Sequence, residues 1–420
     1  MKRVRAAELL EATANAIVAQ GVAPPPAEVV IDSIFDLLDE DVLHQEIVPI
    51  LTRLHGYAAV GAFARTCRRA AREIWPHVTH LMLPEQMNDA GLVHFTGLGT
   101  LDLGLNTRIT NASLAQLTGL TNLTLNSNGN ITDASVAQLT NLTHLNLSFN
   151  TRITNGGVAP LRRLMLLEMG LNIRISDDGV AALTNLTNLE LGLTKGITNA
   201  GLAKLDKLAV LRLDFNKEIT DDVFEHLTSL TDLDLGYNTR ITNAGLEWLG
   251  KHGMLTKLKL GHNTAITDAG LEALGNSLTV LNLGLDTRIT NAGLEALGRR
   301  GKLTVLHLND SERITDDVFR WLGSLVVLDL TVNISITDDA LQWLGTNLAE
   351  LYLGDNNRIT DKGLGWLTNL TILDTGENEN ITDAGIAKLS KLVTLYAGLP
   401  AAISLAVCDR FAPPITEELF

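Results

Sequence analysis

The chain has 420 residues, with 33 Lys and Arg against 48 Asp and Glu and a formal net charge of -15. That balance opposes non-specific binding to nucleic acid or to an anionic membrane, and a basic partner fits it more easily. Only Cys67 and Cys408 are present and no 18 apolar residues run together, so neither a disulfide framework nor a transmembrane helix is implied, and a reducing compartment fits best.

The first stretch, MKRVRAAELLEATANAIVAQ, is Ala-rich and helical in pattern. Glu8 and Glu11 fall where a secretory signal needs an uninterrupted apolar run, so the expected location is intracellular, cytoplasmic or nuclear, without a classical signal peptide. Pro24-Pro25-Pro26 breaks the helix and makes residues 1–27 a helix and linker. From Val29 to Leu54 apolar residues recur at helical spacing (Ile31, Ile34, Phe35, Leu37, Leu38, Ile47, Ile50, Leu51, Leu54), and a third helix is predicted over Ala58 to Ile74. Residues 28–77 therefore read as a small all-helical domain joined directly to a first strand, His80-Leu81-Met82-Leu83.

Residues 78–399 repeat. Units start at Leu98, Leu120, Leu142, Leu164, Leu186, Leu208, Leu230, Leu255, Leu278, Leu303, Leu325, Leu348 and Leu370, with a partial unit from Leu392. The period is 22 residues, stretched to 23 or 25 in four units, and each reads L-x-x-L-x-L-x-x-N-x-x-I-T-D/N-x-G-L-x-x-L, as in LTHLNLSFNTRITNGGVAPL. A fixed period of this length marks a solenoid. In L-x-L the leucines alternate with polar residues, so a short strand turns Leu145 and Leu147 inward and Asn146 outward, and successive strands stack in parallel. The Asn slot (Asn106, Asn128, Asn150, Asn172, Asn216, Asn238, Asn263, Asn333, Asn356, Asn378) suits a buried amide satisfying neighbouring backbone; Thr194, Asp286 and Ser311 take its place in other units. The I-T-D/N segment ahead of G-L-x-x-L reads as a helix start, the hydroxyl capping free N–H groups and the carboxylates complementing the dipole. Pairs such as Leu294 and Leu297 return to the core. The fold class is thus α/β, a curved parallel sheet inside and short helices outside, with fourteen strands spanning an inner arc of roughly 65 Å.

The outward strand positions are where units differ, and an extended concave face is the usual interaction surface of a solenoid. In chain order they carry Glu168, Glu190, Arg212, Asp232, Asp234, Lys257, Lys259, Tyr352 and Tyr396, and the slot before the Asn adds Phe149, Leu171, Leu193, Phe215, Tyr237, Leu285 and Val332. Aromatic anchors beside charges are what partner hot spots look like. Phe149, Phe215 and Tyr237 are accordingly candidate target contacts with the charged residues and the two later tyrosines; the alternative is that this column is a packing ridge covered by adjacent turns.

Catalytic signals do not rise above the repeats, so no enzyme, cofactor or metal is expected. His77 and His80 have no Cys partner at zinc-ligand spacing, and Gly97-Leu98-Gly99 lacks the third glycine of a dinucleotide site. Pairs such as Asp221-Asp222 and Asp316-Asp317 sit in the helix-start slot and read as caps rather than as acid–base pairs. N-L-T and N-I-T triplets follow from the repeat pattern. Residues 400–420 drop the pattern but keep Ile403, Leu405, Val407 and Phe411, as a C-terminal cap would.

The repeats resemble the I-T-D-x-G-L units of F-box leucine-rich-repeat proteins, with Asn where many of those have Cys. The stretch LHQEIVPILTRL, then AFARTCRRAAREIW, then HLML (Leu43 to Leu83) resembles an F-box, matching it at Leu43, Glu46, Ile47, Ile50, Leu51, Leu54, Phe63, Cys67, Arg68 and Trp75, and departing from it at His44, where the family has Pro. The resemblance implies the substrate adaptor of an SCF-type (Skp–cullin–F-box) ubiquitin ligase, itself non-catalytic and monomeric outside its complexes. Leu43, Ile47, Ile50, Leu51 and Leu54 would then dock a Skp-type adaptor while the repeats hold the target. The other reading is a stand-alone recognition solenoid whose helical N-terminus is only a cap.

Overall fold

The computed structural model describes residues 80–82, 87–93, 95–253, 255–284, 288–398, 402–408 and 410–411. The expected segments 1–27 and 28–77, with Leu43, Ile47, Ile50, Leu51 and Leu54, lie outside the described residues, as do Leu285 and Asp286. The chain divides between Leu183 and Thr184 into two compact units.

In the first unit five three-residue strands pair in parallel and in chain order: β1 (His80–Met82), β2 (Thr100–Asp102), β3 (Asn122–Thr124), β4 (His144–Asn146) and β5 (Leu166–Glu168). The second unit continues the rule with β6 (Asn188–Glu190), β7 (Val210–Arg212), β8 (Asp232–Asp234), β9 (Lys257–Lys259), β10 (Val280–Asn282), β11 (Val305–His307), β12 (Val327–Asp329), β13 (Glu350–Tyr352), β14 (Ile372–Gly376) and β15 (Thr394–Ala397). Register matches Leu to Leu, as in Leu211, Leu233 and Leu258, so from β2 onward the leucine at the second position of each strand is buried in the core. Leu145, Leu147, Leu294 and Leu297 all lie in the core. Burial of each such leucine stabilises by roughly 1.5–3 kcal/mol, but only when a neighbouring unit covers it.

Two polar ladders tie unit to unit. Asn150 is fully buried, and its Nδ2 donates to the carbonyls of Leu125 at 3.1 Å and Asn128 at 2.8 Å in the preceding repeat. Its Oδ1 accepts from the amides of Arg152 and Ile153 at 2.9 and 3.0 Å. The same pattern recurs at Asn128 and Asn333. Thr194 fills the slot but is too short for it: its hydroxyl is buried and has no hydrogen-bond partner.

The second ladder revises the reading of the helix-start acids. The residue after Thr is a clasp to the next unit as well as a complement to the helix dipole: Asp338 accepts from the Thr360 amide at 2.8 Å and from its hydroxyl at 2.7 Å, and Asp221 does the same for Thr242. Having given its proton to the carboxylate, the Thr oxygen still accepts a helix amide, as from Lys362 at 3.1 Å. Where Asn holds the clasp the polarity reverses, since Asn199 Nδ2 donates to Thr220 Oγ1 at 2.7 Å while its Oδ1 takes the Thr220 amide at 3.0 Å. The hydroxyls of Ser176, Thr220, Thr267 and Thr315, all paired with Asn, then make no cap bond, and Thr132 makes one only at 3.4 Å.

The clasp explains the glycine of the motif. A Cβ on Gly363 would sit 2.3 Å from Asp338 Oδ1, so the previous unit's acceptor occupies that space. Ser113 and Ser135 stand there in early units and donate their hydroxyls to the clasp oxygen instead. Beyond residue 399 the register continues: buried Ile403 precedes Ser404, whose amide donates to Asp383 Oδ1 at 2.8 Å as a repeat threonine would.

Candidate functional site

From β2 onward the first and third residues of each strand, with the turn that follows, lie on the side of the sheet away from the leucine core. In the first unit Glu168 accepts from Asn146 Nδ2 across β4 and β5, and Phe149 is 59% exposed. Phe149, Leu171, Phe215 and Val332 occupy the left-handed region at φ 57–59°, a conformation that costs a β-branched or bulky residue of order 1–3 kcal/mol. They therefore stand on a strained turn with their apolar side chains in water, not within a covered ridge.

In the second unit Phe215, Tyr237 and His262 follow β7, β8 and β9. Their rings stack with centroids 4.1 Å apart, at 12° for Phe215 and Tyr237 and 15° for Tyr237 and His262. Phe215 and Tyr237 are each more than two-fifths exposed. The turns reach this geometry differently: positive φ falls on Phe215 itself in one unit, and on Gly236 and Gly261 ahead of Tyr237 and His262 in the next two. Gly236 is also required by space, because a Cβ there would lie 2.3 Å from Asp214 Oδ1. His262 was not among the expected contacts, although it occupies the same slot one unit after Tyr237.

Asp234 corrects an expectation. Read as a solvent-facing contact, it is 2% exposed, with Lys259 Nζ at 3.0 Å, Arg212 at 3.5 Å and the Gly236 amide donating at 3.0 Å. A carboxylate so enclosed serves to hold the two half-exposed cations in place. Burial, then the nearby Asp234 charge, pushes the Asp214 carboxyl above the usual range, against the pull of Lys259 and Arg212. Glu190 and Asp232 are half-buried on β6 and β8, and Lys257 is exposed on β9.

Charge along this face is segregated. Among the described residues, Arg212, Lys257 and Lys259 are the only Lys or Arg at first and third strand positions, all on β7 and β9. From β11 to β14 the same positions carry Asp329, Glu350 and Asp374, with Asp310, Asp355 and Glu377 in the turns, a stretch the sequence reading passed over. Asp329 faces His307 Nδ1 at 3.1 Å and accepts from the Thr331 amide at 2.9 Å. Burial alone would raise its pKa, but these hydrogen bonds outweigh it and leave the carboxyl below the ordinary range. Tyr352 is half-buried and donates to Glu350 at 2.9 Å, and burial together with that bond pushes its phenol up to about 12. Tyr396 is 51% exposed.

Among the described residues no three of His, Cys, Asp and Glu converge as metal ligands, and no helix is long and apolar enough to cross a membrane. A family model described as "Leucine Rich repeat" matches residues 138–161, 226–250, 254–275 and 346–365. The chain carries leucine-rich repeats. No curated protein matches the sequence. Among solved structures, an internalin from Listeria monocytogenes is 26% identical with a TM-score of 0.51, covering 74% of this chain and 88% of its own. A leucine-rich-repeat protein of Leptospira interrogans is 23% identical at TM-score 0.49, covering 78% and 90%. Toll in its complex with Spatzle, from Drosophila, is 19% identical at TM-score 0.48, covering 76% of this chain and 46% of that one.

Proposed function

We propose that this leucine-rich-repeat chain is a non-catalytic protein-recognition module that binds its partner on the strand face. The observation that supports this is a division of labour within each unit. Inward leucines, buried amides and clasps repeat almost without change, while the outward positions differ in charge, size and aromaticity from one strand to the next. A uniform core with a variable face is the economy of a binding solenoid. A photo-crosslinking residue placed at Tyr396 should capture a protein partner, whereas one at the half-exposed Trp343, in the turn after the outer helix Asp338–Leu341, should not. Equal capture at both positions would refute strand-face recognition.

The finer reading, a substrate adaptor of a Skp–cullin–F-box ligase, is supported by the resemblance at Leu43, Ile47, Ile50, Leu51 and Leu54, and a stand-alone recognition protein fits the repeats equally well. The two separate in one pull-down with a purified Skp-type adaptor. Retention of wild type and loss of a folded Leu43→Asp, Ile47→Asp variant supports the adaptor; no retention leaves the stand-alone module.

A further inference from the structure

Two features of the second unit were found independently and lie on one face: the Phe215, Tyr237 and His262 stack after β7 to β9, and the stretch from β11 to β14 whose outward positions hold carboxylates and no Lys or Arg. An exposed ring stack supplies an apolar anchor without saying what sits on it. The charge pattern supplies that. Asp329 already accepts two internal bonds, from Thr331 and His307, and Glu350 and Asp374 one each, from Tyr352 and Gly376. A carboxylate has about four acceptor positions, so all three are held in place with capacity left over. At the other end, Arg212, Lys257 and Lys259 flank the stack, with Asp214 and Asp232 between them and the buried Asp234 tying two of them down. That end offers a basic chain no net attraction.

We infer, resting on the recognition reading above, that the strand face from β7 to β14 docks a basic, extended segment of a partner protein. An aromatic or aliphatic side chain of that segment sits on the Phe215, Tyr237 and His262 stack, and its Lys or Arg residues lie over Asp329, Glu350 and Asp374. The cations beside the stack fix its direction, since the reverse arrangement sets Lys or Arg against Arg212, Lys257 and Lys259. Spacing follows from the sheet. Neighbouring strands are about 4.8 Å apart, so β8 to β12 spans roughly 19 Å, or about six residues of extended chain.

The test uses the full chain and a fluorescein-labelled twelve-residue peptide with Trp near one end, a Gly/Ser spacer, and Lys at alternate positions from the seventh residue onward. Fluorescence anisotropy should report saturable binding that weakens as salt rises. Tyr237→Ala and the pair Asp329→Asn, Asp374→Asn should each weaken it at least tenfold, with both variants retaining the wild-type circular dichroism spectrum and unfolding midpoint to within a few degrees. A peptide with Glu for Lys, and one with the Trp moved next to the first Lys, should bind at least tenfold more weakly. Equal binding of the Glu peptide, preferential binding of a single-stranded oligonucleotide, or indifference to both variants overturns the inference. Strand-face crosslinking with no basic-peptide binding would sink this partner chemistry while leaving recognition standing; crosslinking no stronger on the strand face, at Lys257 on β9 included, than at Trp343 would remove both.

Discussion

The clasp and the glycine opposite it make a quantitative prediction. Asp338 receives two hydrogen bonds from Thr360 at a half-buried site, and bonds to an ionised acceptor contribute roughly 1.5–3 kcal/mol each when buried and less when partly solvated. Asp338→Ala should therefore cost about 2–3 kcal/mol. Gly363→Ala sets a methyl 2.3 Å from Asp338 Oδ1 and 3.1 Å from Leu341 Cδ1. To make room the carboxylate must leave Thr360, so the cost approaches that of losing the clasp, less the ~0.5–1 kcal/mol by which Ala outranks Gly in a helix. The double variant has no carboxylate to displace and should be no less stable than Asp338→Ala alone, giving a coupling of about 2 kcal/mol. Asp338→Asn, which copies the clasp at Asn199, should stay within ~0.5 kcal/mol of wild type. Urea unfolding followed by circular dichroism gives the cycle, and hydrogen exchange at the Thr360 amide gives the local opening free energy. Additive costs would refute the claim that this glycine exists to make room for the preceding unit's acceptor.

Asn150→Ala should destabilise by roughly 2–4 kcal/mol in urea titration, because it strands the Asn128 carbonyl of the preceding repeat and two amides of its own, while the Leu125 carbonyl keeps the Asn128 amide. Thr194→Asn should stabilise by about 1 kcal/mol, restoring the amide pattern where the Thr194 hydroxyl has no partner; a lower unfolding midpoint would count against it. Asp329 titrates below its unfolded value, so its contribution is complete above the ordinary carboxylate range and disappears as pH falls through its lower folded value. Asp329→Asn should flatten that part of the acid stability profile, and His307→Gln should move the Asp329 carboxyl back up in a ¹³C NMR titration. For Tyr352 the folded phenol titrates near 12, so stability present below the ordinary tyrosine range is lost as pH rises toward that value; Tyr352→Phe should remove this alkaline step from absorbance at 295 nm.

Much of the fold was legible because repetition averages out local ambiguity. Leu145 and Leu147 read as inward from alternation alone, and Asn150 as a buried amide from its recurrence. The clasp was half legible. Thr with Asp or Asn spells a helix start, but the second half of its function lies in a unit one period away, which no local motif reveals. For the same reason the glycine had no sequence explanation, since what fills its space belongs to the previous repeat. Asp234 was misread because position within a strand fixes direction but not cover, and the long side chains of Arg212 and Lys259 close over it. The carboxylates from Asp329 to Asp374 were in plain sight, one in each successive repeat, with Asp329 and Asp374 at third strand positions and Glu350 at a first. What sequence could not supply was how each carboxylate is held, Asp329 by Thr331 and His307, Glu350 by Tyr352 and Asp374 by the Gly376 amide. The ring stack needed the turn geometry, which differs between Phe215 and Tyr237 despite their identical place in the repeat.

The two ladders run in opposite senses. In one, a side chain of the later unit reaches back to the earlier unit's backbone; in the other, a side chain of the earlier unit reaches forward to the later unit's backbone amide and hydroxyl. Neither contact consults the outward strand residues that differ between units. Where both slots are filled, a repeat can therefore follow another whatever its strand face carries, the exceptions being junctions such as Thr194, which lacks the amide, and Gly250, whose bare Cα makes room for the Ala273 carbonyl. A lineage holding such a chain can recombine its recognition surface strip by strip, as cards are dealt from one deck, while the thermodynamics of joining stays the same.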